Sequence, residues 1–179
     1  MKRLLLYGVA LALMVPIYTF GMARLDLVTA PQMVNAELLA DLIRVSKSDR
    51  VLELWRDGSV ISSYEISLGA NGDDGHKQQE GDERTPEGTY TIDWRNDGSF
   101  AYLSLHISYP NEADISAAKS RNVAPGGLIM IHGIANGWGW LGKMHLIWDW
   151  TDGCIAVTNR EMREIWSLVP NGTPIRIEA

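Results

Sequence analysis

Cysteine is almost absent: 179 residues carry one thiol, Cys154. No disulfide can close within the chain, so a packed core has to hold the fold, and the length suffices for one domain with such a core. Basic residues are also in short supply. The formal net charge is −6, from 16 Lys and Arg against 22 Asp and Glu, and no clustered basic face argues for a nucleic-acid partner. Low-complexity tracts and internal repeats are missing, which excludes repeat architectures. The four histidines and the cysteine do not fall at zinc-site spacing, so no metal centre is expected.

The N-terminus, "MKRLLLYGVALALMVPIYTFGMARL", reads differently. Lys2 and Arg3 precede an uncharged, mostly apolar run from Leu4 to Ala23. Positive and then apolar is the order of an export signal. The run is also about long enough to span a hydrocarbon core of roughly 30 Å at about 1.5 Å per residue. A cleaved signal peptide and an uncleaved membrane anchor therefore both stand for residues 1–23, with a buried core helix as a third reading. No cysteine follows the run, so a lipid-modified anchor is excluded. Either export reading puts the folded part outside the cytoplasmic membrane. There a lone cysteine is unusual: it is a spare thiol, a link to another chain, or a working group.

Residues 24–42 form a connector with a short helical stretch after Pro31, and residues 43–179 form the domain. From Ile43 onward apolar residues alternate with polar ones, as half-buried strands require. "RVLELWRDG" and "SVISSYEISLG" flank Asp57-Gly58, a hairpin signal. Residues 70–88, "ANGDDGHKQQEGDERTPEG", make a long charged loop, and a loop of that length in a compact domain points to function. "TYTIDWRN", "AYLSLHISYP" and "GGLIMIHG" are further strands. A lid region with four tryptophans precedes the short strand "CIAV". "NREMREIWSLV" has helical spacing, with Asn159 as expected N-cap, and "NGTPIRIEA" ends the chain in a strand. The fold class is mainly β, a sandwich or partly closed barrel with one or two short helices.

His132 closes one predicted strand and Cys154 opens another. Strand ends at one sheet edge commonly converge. A thiol needs a neighbouring base to act as a nucleophile, and an imidazole within about 3 Å serves. Gly153, next to the thiol, leaves backbone amides exposed for a developing oxyanion. The same residues also fit a bland reading, since free Cys is often a core residue and a strand-end His is often a satisfied polar group.

Four ordered motifs separate these readings: "GDERTPEGTYTI", "ISYPN", "PGGLIMIHG" and "TDGCIAVTN". Together they resemble the YkuD-type L,D-transpeptidase catalytic domain of bacterial cell-wall enzymes over about residues 43–178. The resemblance implies a β-sandwich-like domain with Cys154 as nucleophile, His132 as its activator, and oxyanion amides near Gly153 and Asp152. It implies peptidoglycan stem peptides as substrate and no metal or organic cofactor. The implied reaction joins two stems 3→3 through a cysteine acyl-enzyme; water in place of the acceptor amine gives a carboxypeptidase or amidase. Gly133, Tyr109, His145 and Trp138 are candidate substrate contacts, although a lid histidine and core tryptophans are the simpler uses.

One position departs from the family pattern. Most members carry Ser or Thr, then His, before Gly-Cys; here the triplet is Thr151-Asp152-Gly153. A carboxylate close to the sulfur raises the thiol pKa, so Asp152 is expected to point away or to hold something else. This resembles a branch of the family with hydrolytic members. A non-catalytic wall-binding module is the remaining alternative.

Overall fold

In the computed structural model the described residues are 14–18, 21 and 29–179. Most of the apolar run expected over 1–23 therefore lies outside the described residues. Among those described, no helix is long and apolar enough to cross a membrane.

Alternation builds the first three strands. In β1 (Leu42–Ser46) Ile43 and Val45 point inward, and in β2 (Val51–Arg56) Leu52 and Leu54 do. The hairpin into β3 (Ser59–Glu65) turns at Asp57 and Gly58, with φ of 50° and 75°. Two positive φ angles make a turn whose twist matches that of paired strands. β4 (Gly88–Asn96), β5 (Ser104–Ile107), β6 (Met130–His132), β7 (Ile155–Ala156) and β8 (Pro174–Glu178) complete one sheet of order β3-β2-β1-β8-β4-β5-β6-β7.

The sheet curls until its ends meet. Ser67, just beyond β3, exchanges two backbone hydrogen bonds with Ala156 of β7, at 3.0 and 2.8 Å. Neither edge is left open there to pair with another chain. A bulge between Ile92 and Trp94 lets β4 bend and serve both halves of the curl. The class is mainly β, as the alternation indicates.

Within the domain, two α-helices lie outside the sheet. α1 (Glu112–Ser120) was not expected; Asn111 and Asp114 close a capping box at its start. α2 (Asn159–Leu168) packs on β5 and β6 and buries Met162, Ile165 and Trp166. Its N-cap is Thr158, whose hydroxyl accepts from Glu161 N, and not Asn159. Asn159 is one residue inside the helix, and its Oδ1 accepts from Ile134 N at 2.8 Å.

The 70–88 loop is pinned by cations. Buried Lys47 donates to Gly75 O, Thr85 O and Glu87, Arg50 pairs with Asp73 and Asp149, and buried Lys77 holds Asp82 at 2.7 Å. His76 is tied in as well. It accepts from Glu87 N at 3.0 Å through Nδ1 and lies 3.1 Å from Asp114 through Nε2.

Candidate active site

Register decides which side chains share a face. Ser104 of β5 is opposite both Asn96 of β4 and His132 of β6, and His106 is opposite Trp94 and Met130. β6 runs parallel to β7 with His132 opposite Ala156, so Cys154 falls beside Met130. Cys154 and His132 thus occupy one face, one strand spacing and two residues apart, roughly 5 Å across and 7 Å along. The alternate residues Leu105, Ile131 and Ile155 turn into the core.

Above this face lies a groove of about 600 Å³. Trp94, Phe100, Leu128, Met130 and Trp150 give it apolar walls, and Cys154 and His132 both line it. Among the described residues, Asp152 is its one formally charged lining residue.

The imidazole is fixed by its backbone. His132 Nδ1 lies 2.6 Å from Gly133 O, and because a carbonyl only accepts, Nδ1 carries the proton. In the neutral ring Nε2 is then the basic nitrogen. Burial pushes the His132 pKa below its ordinary value, the Gly133 carbonyl partly offsets this, and His145 adds to the fall. Trp150 holds the ring edge-on, with centroids 5.6 Å apart.

The sulfur is held on the other side. It accepts from Met130 N at 3.4 Å, and the thiol lies 3.6 Å from Leu128 O. Burial raises the Cys154 pKa; the Met130 amide opposes that, the Asp152 charge adds to it, and Lys77 opposes it again. Asp152 lines the groove together with Cys154, close enough for its charge to oppose the thiolate. Its carboxylate is exposed in the groove, makes no hydrogen bond among the described residues, and works against the thiolate.

Gly153 is required by shape. Its φ is +117°, and a Cβ there would lie 2.5 Å from Arg84 O. The 83–85 stretch of the long loop threads between Gly69 and Gly153 and leaves room for neither a side chain nor a shift. The Gly153 amide donates to Thr151 Oγ1 at 3.2 Å and is spent. The Cys154 amide makes no hydrogen bond among the described residues. Gly153→Ala is expected to cost about 3 kcal/mol or more. Thermal unfolding should show a midpoint lower by roughly 6–12 °C.

A family model described as the L,D-transpeptidase catalytic domain, YkuD, matches residues 40–177. The chain belongs to this family. Among curated relatives, the YkuD domain here is 29% identical over 134 residues to YafK of Escherichia coli (strain K12), provisionally named an L,D-transpeptidase. The match covers 71% of this chain and 46% of YafK. Pgp2 of Campylobacter jejuni, described as a helical cell shape determining protein, superposes with a TM-score of 0.59 at 23% identity, over 90% of this chain and 55% of Pgp2. Bd1075 of Bdellovibrio bacteriovorus gives 0.53 at 24%, over 82% and 51%. At such identities the likeness establishes the L,D-transpeptidase fold alone. The chain spans about half the length of these relatives.

The YkuD-type groove takes in fewer of the sequence candidates than expected. Cys154, His132 and Asp152 line it, and Gly153 shapes the turn beneath it. Gly133 lies behind the imidazole and packs on Asn159. Tyr109 is buried in the core, its hydroxyl bonded to Pro125 O, because its ring fills space against Tyr90. His145 is a buried residue and not a surface one. It lines a second cavity of about 220 Å³ with Trp138, and Trp150 forms a wall of both spaces. His106 is a hydrogen-bonded strand residue, paired with Asp93 at 2.6 Å and stacked on Trp94. Asp149 clamps Leu68 N and Arg50, and Lys143 pairs with Glu65. Lys77 was missed: a loop cation 77 positions before the thiol has no sequence signal that ties it to the sulfur.

Proposed function

We propose that this groove performs cysteine-based acyl transfer on peptidoglycan stem peptides, and that its product is a 3→3 cross-link. The observation that carries the reading is the placement of Cys154 and His132 on one face, in one groove, with Nδ1 tied to Gly133 and Nε2 left as the base. The thiol turns from Leu128 O toward Nε2, which takes its proton as sulfur attacks the carbonyl at the L-centre of the third stem residue. The Cys154 amide faces the oxyanion that forms. Collapse breaks the amide bond, and the terminal D-alanine leaves with the proton from the imidazolium. A thioester remains. The side-chain amine of a second stem then attacks it, gives its proton to Nε2, and the thiol is restored. In the cell this activity belongs to the envelope outside the cytoplasmic membrane, where it would serve wall shape.

A second reading is hydrolysis at the same site, and Asp152 favours it. With no Lys or Arg lining the groove, a terminal carboxylate on the leaving group finds no counter-ion. An amide whose leaving amine belongs to a longer chain fits better. Purified protein incubated with tetrapeptide-rich wall fragments, with products weighed by mass spectrometry, separates the two. Cross-linked dimers are the expected outcome; shortened stems alone mean carboxypeptidase hydrolysis, unchanged stems beside cleavage of a wall fragment whose third residue is joined to a longer chain mean amidase hydrolysis, and no change in either substrate rejects both readings.

A further inference from the structure

Beyond the groove, the lid carries apolar side chains that nothing in the domain covers. The segment Gly139–Ile147 is two 3-10 turns broken at Gly142, and with Trp148 it exposes Trp140 (69%), Met144 (56%), Ile147 (68%) and Trp148 (60%). A soluble domain seldom groups four such side chains on one short crest without a partner. The charged groups nearby are turned to other tasks: Lys143 pairs with Glu65, Asp149 is held by Arg50 and Leu68 N, and His145 is buried.

The crest is continuous with the apolar N-terminal run. The Tyr18 hydroxyl donates to Gly137 O at 2.9 Å. Its ring meets Trp138 edge-on at 6.0 Å, and Trp138 leans on Trp140 at 6.1 Å. Met14, Val15, Ile17 and Tyr18 are themselves exposed. Ring contacts therefore run from Tyr18 through Trp138 to Trp140 on the crest, so an environment that takes the apolar run also meets the crest. Two exposed tryptophans at the end of an uncharged apolar run are the residues that settle at a membrane–water interface.

We propose that Trp140, Met144, Ile147 and Trp148 form a membrane-interface contact, seated in the bilayer surface beside the apolar leader. The contact is aromatic and aliphatic. With a net charge of −6 it owes nothing to anionic lipid. Trp150, two residues beyond the crest, lines the catalytic groove, so the contact holds that groove at a fixed height above the bilayer. The inference is independent of which acyl acceptor the groove uses.

The seven tryptophans are at 55, 94, 138, 140, 148, 150 and 166, with none in residues 1–28, which makes the test direct. The full chain is bound to phosphatidylcholine vesicles, with and without brominated acyl chains, and intrinsic tryptophan fluorescence is read. Bromine should quench the wild-type domain. The double variant Trp140→Phe/Trp148→Phe should lose at least half of that quenching while still co-sedimenting through its leader. Quenching should persist in 0.5 M salt and should not grow when phosphatidylglycerol is added. Absent quenching, equal quenching in the variant, or a crest buried by concentration-dependent self-association without bromine effect would each overturn the proposal.

Discussion

Cys154→Ala should lower kcat/KM on wall peptides by roughly 10⁴-fold or more, equivalent to about 5.5 kcal/mol of transition-state stabilisation. The size follows from the absence of a substitute. The groove holds no second thiol and no lysine, and the oxyanion amide alone can only stabilise charge that another nucleophile has first created. The fold should survive. Ala removes two weak hydrogen bonds, from Met130 N to sulfur and from the thiol to Leu128 O, together worth about 1–2 kcal/mol, or a fall of roughly 2–8 °C in Tm. Mass spectrometry of products and a thermal melt on the same preparation check both halves. Retained turnover removes the nucleophile assignment. Lost turnover with an unfolded variant would show the thiol to be structural, and Cys154→Ser, which preserves the hydrogen bonds, would then separate fold from chemistry.

The strands were the legible part of the fold, because burial on one face writes itself as alternation. β1, β2 and the Asp57-Gly58 turn follow directly from this rule. α1 was not visible, since its face buries only Asp114 and Ala118 and leaves little helical periodicity. The signal that existed was local: Asn111 and Asp114 have the spacing of a capping box. The N-cap of α2 was misplaced by one residue for a related reason. Asn159 and Thr158 are both good caps, and the choice falls to Glu161, which reaches back to Thr158 N and leaves Asn159 to hold Ile134.

The site divides in the same way. Cys154 and His132 were legible because chemistry restricts the residue types and strand register carries them to one face. Tyr109, His145 and Trp138 lie outside the groove lining, because sequence nearness to a motif does not say where a ring packs: Tyr109 sits in the core and the other two line the smaller cavity. Lys77 could not be seen at all: the loop must fold back across the sheet before its charge reaches the sulfur. Asp152 stands out in the sequence as a departure, but that it shares the groove with the sulfur is visible only in the fold.

The two shifts at the site act in opposite directions and fix the resting protonation. Burial penalises the thiolate and raises the Cys154 pKa above the ordinary thiol value; burial penalises the imidazolium and lowers that of His132 below its ordinary 6.5. At neutral pH the pair is therefore thiol plus neutral imidazole, and the ion pair appears only as the proton moves during attack. As a depressed base stays unprotonated to lower pH, the acid limb of kcat/KM should fall below pH 6.5. Iodoacetamide, which samples thiolate without substrate, should react slowly at pH 7 and go on accelerating beyond about pH 8.5, the ordinary thiol value. His132→Ala should lower kcat/KM by roughly 10²–10⁴-fold and remove the acid limb. Asp152→Asn should shift the alkylation curve to lower pH, because it deletes a charge that opposes the thiolate. A thiolate plateau already reached below pH 7 would mean that the pair rests ionised, and Nε2 would then act as a counter-ion and not as the base.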